Sequence, residues 1–199
     1  PPRSTLFPYT TLFRSLLTDD DVDGATAVLC EAFPREPMTR ACGITAELFA
    51  PFARACCVQA AADGLSLVAR HRATGQIVGC QISEDLAHPP DLDMSAVSPR
   101  FGPIFALLGG LDEAYRNMRS FRSGEVFHVN MAAILTAHEG GLILPRLFEL
   151  SLDLARQRGF RRALGHCATA VIQRLALDFD FREVARAVLD SVCEIRRTA

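Results

Sequence analysis

The sequence has no excess of charge of one sign and no long hydrophobic run. Its 199 residues include 21 lysine and arginine and 23 aspartate and glutamate side chains, which gives a formal net charge of -2. Without a basic excess, electrostatic binding to nucleic acid or to an anionic membrane has no support. Charged residues also interrupt each apolar stretch well short of the roughly 20 residues that cross a bilayer. We therefore expect no nucleic-acid partner and no membrane partner.

The seven cysteines include no C-x-x-C pair, and no secretory signal is recognisable. An odd number of unpatterned cysteines is typical of a reduced, cytoplasmic protein with buried thiols. His166 beside Cys167 is compatible with zinc, but no second pair stands at ligand spacing. We therefore expect a cytoplasmic protein without a metal site.

The N-terminal residues do not read as natural protein. Residues 5–15, TLFPYTTLFRS, match the translation of a common sequencing-adapter oligonucleotide in one reading frame. A native strand rich in Phe and Thr is the alternative interpretation. We therefore treat residues 1–15 as a non-native N-terminal scar that has overwritten part of a first strand. The length and the 49% hydrophobic composition of the chain predict a single domain over 16–199, as a monomer or homodimer.

From residue 16 onward, helical and strand patterns alternate, with no internal repeat. A first helix follows the cap residues 17–20 and ends near 33, before a break at 34–38. Apolar spacing predicts the further helices 45–62, 101–118, 142–158 and 168–177, the second of these with a kink at Gly109-Gly110. Strand-like runs are 65–72, 77–83, 126–135, 161–166 and 181–192. This order predicts an α/β or α+β fold with helices on both faces of a sheet.

The run 126–135 leads through a short loop, TAHEGG at 136–141, into a leucine-rich helix. Paired glycines let backbone amides turn inward, and a helix N-terminus favours negative charge. The segment therefore predicts a phosphate-binding site. An ordinary strand-to-helix connection with a glycine turn is the alternative interpretation. A second loop, 84–98, is acidic and could reach over a site to attract a cationic acceptor, or could simply be solvated.

The order of these elements resembles the GNAT acetyltransferase superfamily from residue 16 to about 192. Two segments resemble its arylalkylamine (dopamine-type) branch. Glu36-Pro37-Met38 is similar to the acidic E-P-L/M segment of that branch, and GHCATAVIQ at 165–173, followed by FDF at 179–181, is similar to its strand-to-helix stretch and Leu-Gly-Phe ending. The resemblance implies a mixed, mostly antiparallel central sheet flanked by helices, in which the central strand splays from its neighbour.

The resemblance also implies an activity, the transfer of the acetyl group of acetyl-CoA to a small primary amine of arylalkylamine type. Glu36 would be the general base, although the residues alone allow a solvated carboxylate equally well. The resemblance assigns the thioester and its pantetheine arm to Met131, Ala132, Ala133, Ile134 and Leu135. It assigns the pyrophosphate to His138, Glu139, Gly140, Gly141, Leu142 and Ile143. An aminoglycoside- or peptide-modifying enzyme of the same superfamily is a further alternative.

The sequence departs from the family pattern in its loop. The motif Q/R-x-x-G-x-G/A, aligned with its first glycine on Gly141, places Ile143 at the small position, where a bulky side chain could obstruct the phosphate. A shift by one residue restores the spacing to the helix but places Leu142 where a glycine belongs. The register of the loop therefore stays open.

The two serines that assist proton transfer in the dopamine-type branch fall on Ala168 and Ile172, and the only tyrosine outside the scar is Tyr115. Cys167 or Thr169 could substitute, or could pack in the interior. His128 could belong to the core or to the cleft, and we expect a histidine with a bonded partner near the cleft. The alternative to an active enzyme is a catalytically degenerate GNAT-fold module that binds CoA or a protein partner.

Overall fold

The chain folds around a five-stranded sheet with helices on both faces. The computed structural model describes residues 12–89 and 92–187. In chain order, the helices and strands of these ranges, with short 3₁₀ turns left out, are β1 (Leu12–Leu16), α1 (Val22–Ala32), α2 (Pro37–Ala41), α3 (Ala46–Asp63), β2 (Leu67–His71), β3 (Ile77–Asp85), α4 (Gly102–Met118), β4 (Val126–Ile134), α5 (Ile143–Gln157), β5 (Arg162–Gly165) and α6 (Ala170–Asp178).

The strands lie in the order β1-β2-β3-β4-β5. The first three pairings are antiparallel, and β4 pairs with β5 in parallel. The expected mixed and mostly antiparallel sheet is confirmed. A parallel pairing requires a crossover, which α5 provides between β4 and β5.

The helix ends follow from local capping chemistry. The Thr18 amide donates to the Asp21 carboxylate at 3.0 Å ahead of α1, and the Thr45 hydroxyl accepts from the Leu48 amide at 3.4 Å to start α3. Gly64 ends α3 in the left-handed region, at φ 61°. The short α2 begins within the predicted break at 34–38 and runs on to Ala41, because Pro37 stands at its first position, where a missing amide costs nothing.

The core has a layer on each face of the sheet. On one face, α1 and α3 pack side chains such as Leu29 and Phe49 against β3 and β4, and the ring of Phe49 lies 5.7 Å from that of Phe101. On the other face, α5 buries Ile143 and Leu147 against β2 and β3. Apolar burial of this extent is the main favourable term in folding. It holds the strands and helices that carry the candidate site.

The structure differs from the sequence predictions at the predicted last strand and at the predicted kink in α4. The predicted last strand is wrong over 181–187, which has no regular structure, while 188–192 lies outside the described residues. There, Phe181 packs 5.5 Å from the ring of Phe148, and Glu183 pairs locally with Arg186, so the segment adds no strand to the sheet. The helix α4 runs uninterrupted through the two glycines at which a kink was predicted.

Residues 12–15, which the sequence analysis set aside, form most of β1. Their backbone pairs with β2 in antiparallel register, from Leu12 opposite His71 to Leu16 opposite Leu67. Pairing of this kind uses main-chain groups that every residue other than proline carries. None of the described helices is long and apolar enough to cross a membrane.

Candidate active site

A fork between β4 and β5 forms the centre of the candidate site. The two strands pair only from Val126 opposite Arg162 to Val129 opposite Gly165. β4 nevertheless continues along β3 until Ile134 lies opposite Gly79. From Asn130 to Ile134, β4 therefore has a partner on one side only, which is the splay that the family resemblance implies.

Backbone amides point into this fork. The Leu135 amide donates to the Val78 carbonyl at 2.9 Å, so it faces β3. Because successive residues of a strand face opposite sides, the amides of Ala132 and Ile134 face the gap that β5 leaves. Of the five residues predicted to meet the thioester and its pantetheine arm, these two present hydrogen-bond donors to the fork.

The loop after β4 leaves several donors open. Gly140 takes φ 77°, a conformation that strongly favours glycine. The amides of Gly140, Gly141 and Ile143 make no hydrogen bond to another described residue, and no side chain caps α5 at Leu142. Open amides at a helix N-terminus form an anion-binding place. The site predicted for the pyrophosphate thus has suitable donors.

Ile143 does not obstruct this place. Its side chain is only 3% exposed and packs against Val78 and Leu147 in the core beneath the sheet. The bulky residue that departs from the family motif is therefore turned inward. Leu142, by contrast, is 48% exposed beside the open amides.

The same loop also carries negative charge. The Glu31 carboxylate accepts from the Thr136 amide at 2.8 Å, and this hydrogen bond holds the pKa of Glu31 below its usual range. Glu139 pairs with Arg35 through atoms 2.8 Å apart. Both contacts tie the loop to the segment at the end of α1. They place two carboxylates close to the amides that would receive a diphosphate.

Glu36 stands just before α2, with its side chain half-buried. Burial raises its pKa, Arg35 opposes the rise and Glu139 adds to it. A carboxyl with a raised pKa is a better proton acceptor than an ordinary one when an ammonium must be deprotonated. These surroundings suit the predicted base, whose pKa also depends on the charge of the loop.

A cavity of about 790 Å³ lies on the β5 side of the fork, between α4, β5, α6 and the segment 179–187. Met38, Leu111, His166 and Cys167 are among its lining residues. Neither Glu36 nor any residue of the loop 138–143 lines it. The structure therefore separates the open loop from the cavity, and Met38 approaches the cavity two residues after Glu36.

Two histidine–carboxylate pairs meet at the fork. His128 on β4 donates from Nδ1 to Glu84 Oε1 at 2.8 Å, and His166 Nε2 lies 3.1 Å from Asp112 Oδ1. The rings of the two histidines meet edge to face, with centroids 5.1 Å apart. Asn130 also donates to Glu84, at 3.2 Å. His128 thus belongs to the cleft side of the core, as one of the two open interpretations had it.

Glu84 and Asp112 supply the carboxylates of this cluster, and the sequence pattern predicted neither of them as a site residue. The sequence pattern places Glu84 in the acidic loop 84–98, whereas β3 extends through it and leaves it 6% exposed. Asp112 lies between Leu108 and Tyr115 at helical spacing, so an acid on an apolar helix face was the available sign. A carboxylate oxygen of Asp112 and one ring nitrogen from each of His128 and His166 all lie within 4.8 Å of one another.

The residues that could replace the family serines are occupied otherwise. The Thr169 hydroxyl accepts from the Ile172 amide at 3.4 Å and caps α6. Burial raises the pKa of the Cys167 thiol. The Thr169 hydroxyl therefore does not take the place of the absent serines at Ala168 and Ile172, whereas the Cys167 thiol lines the cavity as a weakened acid.

Solved structures share this arrangement of strands and helices. The C-terminal condensation domain of Ebony, in complex with β-alanyl-dopamine, aligns with a TM-score of 0.78 at 14% identity, over 86% of this chain and 82% of that one. A mosquito arylalkylamine N-acetyltransferase-like protein, 5b, aligns with a TM-score of 0.73 at 18% identity, over 87% and 84%. The chain has the GNAT fold.

An aminoglycoside N-acetyltransferase in complex with CoA aligns with a TM-score of 0.51 at 10% identity, over 89% of this chain and 91% of that one. No protein-family model and no curated protein sequence matches the chain. At these identities the similarity establishes the GNAT fold alone. Activity must be argued from the site.

Proposed function

We propose that the protein is an N-acetyltransferase that moves the acetyl group of acetyl-CoA to a small primary amine of arylalkylamine type. The observation that carries the proposal is the fork between β4 and β5, which opens directly beside the uncapped start of α5. One GNAT-fold neighbour is named for arylalkylamine acetylation and another is a complex with CoA, and both support this assignment.

In the proposed reaction, the amides of Ala132 and Ile134 donate to the acetyl-CoA arm and carbonyl in the fork. Donors that are fixed in advance stabilise the developing oxyanion without reorganisation. The open amides of Gly140, Gly141 and Ile143 meet the pyrophosphate, with the positive end of the α5 dipole behind them. The amides of Met131, Ala133 and Leu135 face β3 instead, and the side chains of Met131 and Ala133 are buried in the core.

The amine enters through the cavity beside β5, and Glu36 accepts its proton directly or through one water. Once neutral, the amine nitrogen attacks the thioester carbonyl and forms the C–N bond, and collapse of the tetrahedral intermediate then breaks the C–S bond and releases the thiolate. Proton removal by a positioned base accelerates such steps by about 10²- to 10⁴-fold. The half-buried position of Glu36 and its raised pKa support this role.

A second candidate function is a catalytically degenerate GNAT-fold module that binds CoA or a protein partner without turnover. The specific observation in its favour is the carboxylate of Glu139 in the loop, with Glu31 close by, where a diphosphate would have to bind. The absence of the family serines at Ala168 and Ile172 supports it as well.

Calorimetric titration of acetyl-CoA and of CoA into the full chain separates these candidates. We expect dissociation constants in the micromolar range, followed by thiol release when 2-phenylethylamine is added. Binding of both ligands without thiol release for any amine in a screen would favour the degenerate module. A folded protein that binds neither ligand would contradict the proposed function.

A further inference from the structure

We propose that His166 is the catalytic acid that protonates the departing thiolate of the acyl donor. This inference rests on the proposed function and deepens it, because the family serines are absent from Ala168 and Ile172. A thiolate that leaves the acyl carbon is stabilised when a nearby group supplies a proton. The chain therefore needs a donor on the side of the fork where the C–S bond breaks.

The position of His166 meets this need. Gly165 is the last residue of β5 that pairs with β4, so His166 is the first residue beyond the opening of the fork. Its ring lines the cavity, and its side chain is 13% exposed. The imidazole thus stands between the fork, where the donor lies, and the cavity, where the amine lies.

Asp112 holds His166 for this task. His166 Nε2 lies 3.1 Å from Asp112 Oδ1, which leaves Nδ1 as the nitrogen that can face the donor. Burial acts to raise the pKa of Asp112, but the nearby His166, together with His128 and Arg116, outweighs it, and the net pKa is lowered. Asp112 thereby fixes the orientation of the imidazole ring, as a carboxylate beside a histidine commonly does. Asp112 is therefore a positioning residue.

The other candidate donors near the fork are less suitable. His128 is 4% exposed, its Nδ1 is bonded to Glu84, and it does not line the cavity. Tyr115 is also buried, beside Phe121. Thr169 caps α6. His166 combines exposure to the cavity with a carboxylate partner.

Glu36 passes the proton of the incoming ammonium to solvent and is again a carboxylate when the neutral nitrogen attacks the carbonyl carbon. It then accepts the second proton that the nitrogen loses. The tetrahedral intermediate collapses, the C–S bond breaks, and its electron pair moves to sulfur. The proton on His166 Nδ1 then moves to that sulfur, which leaves a neutral thiol. After product release, His166 regains a proton from solvent and Glu36 returns one.

The test compares two leaving groups in single-turnover transfer to 2-phenylethylamine. One donor is acetyl-CoA, and the other carries selenium in place of the thioester sulfur, because a selenolate leaves without protonation. We expect His166→Gln to slow transfer from acetyl-CoA by about 10²-fold or more and to slow transfer from the selenium donor by less than about tenfold. Asp112→Asn should also slow transfer from acetyl-CoA more than transfer from the selenium donor, but with a smaller loss of rate than His166→Gln.

His88→Gln is the matched control. His88 also pairs with an aspartate, at 3.4 Å from Asp85, but its side chain is 71% exposed and does not line the cavity. The His88→Gln variant should transfer the acetyl group from both donors at the wild-type rate. Titration of acetyl-CoA into each variant verifies that the donor site is folded.

Three results would overturn the proposal. Wild-type rates for His166→Gln with acetyl-CoA would remove the residue from the chemistry. An equal loss with both donors would assign it a structural role instead. A wild-type protein that binds acetyl-CoA but acetylates no amine would overturn the proposed function together with this inference, and that result is visible before any variant is made.

Discussion

Arg35 and Glu139 lie 2.8 Å apart and join the segment after α1 to the loop before α5. Glu36 is the next residue after Arg35, and both members of the pair act on it. Arg35 lowers the pKa of Glu36, whereas Glu139 raises it. The ion pair therefore couples the proposed base to the proposed cofactor loop.

Glu139→Gln should shift the acidic limb of the kcat/KM profile to lower pH. The substitution removes a charge that raises the pKa of Glu36 and frees Arg35, which lowers it. Since the base acts when deprotonated, a lower pKa extends activity toward acid. Glu149→Gln, which breaks the exposed pair with Arg146, serves as the control and should leave the limb in place. A shift toward higher pH would contradict the coupling.

The same Glu139→Gln substitution should tighten the binding of CoA. It removes a carboxylate from the loop that would receive the diphosphate, so the electrostatic repulsion falls. Calorimetry at low and at high ionic strength measures the change, which should shrink as salt screens it. An affinity equal to that of the wild type at low salt would place the diphosphate elsewhere.

Glu36→Gln should lower turnover at neutral pH by about 10²-fold or more while leaving the affinity for acetyl-CoA unchanged. The amide keeps the size of the side chain but cannot accept the proton. Steady-state kinetics and calorimetry give the two quantities. Equal rates across the pH range would remove Glu36 as the base.

Gly141→Val should weaken CoA binding by about tenfold, that is about 1.4 kcal/mol. A branched side chain at this position would crowd the open amides on either side of it. Ala137→Val, in the same loop but ahead of those amides, is the control. If Gly141→Val binds CoA normally, the pyrophosphate site either lies one residue upstream, where Gly140 occupies the left-handed conformation, or is absent from this loop.

Arg14→Val should stabilise the fold by about 1 kcal/mol, because buried polar groups without partners cost about 1–3 kcal/mol each. Nε and Nη2 of Arg14 are shielded from solvent without a hydrogen bond to any described residue, and burial together with Arg146 lowers its pKa. Urea denaturation measures the gain as a higher midpoint at constant slope.

Ser15→Val on the same strand controls for strand propensity. If Arg14→Val and Ser15→Val raise the free energy of unfolding equally, burial of the Arg14 guanidinium costs no stability. We propose that residues 1–15 are a non-native scar, and a residue that fits its surroundings poorly in β1 supports that proposal.

Sequence patterns predicted most of the architecture, because it follows from local periodicity. The cap at Thr45 and the stop at Gly64 bound α3, and the Gly-containing turn at 73–76 fixes the hairpin. The segment 181–187 was wrongly predicted as a strand because Phe181 and Val184 suggest a strand, while strand formation needs a neighbour to pair with. That condition is tertiary and is invisible in the sequence.

The candidate site could be predicted in part. β4 and the loop that follows it lie on one continuous segment of sequence, so the family motif covers both. The pairs Glu84–His128 and Asp112–His166 join residues that are 44 and 54 positions apart in the sequence, and no spacing rule connects them. The inward turn of Ile143 likewise depends on packing beneath the sheet.

The fork also divides the two proposed binding surfaces between different elements. Four residue pairs join β5 to β4, whereas β4 is bound to β3 over nearly its whole length. β5 and α6 contribute to the wall of the cavity, whereas the open amides of the proposed donor surface belong to β4 and to the loop before α5. A lineage that carries this fold could diversify its acceptors by substitutions in β5 and α6 without rebuilding the surface that holds its donor.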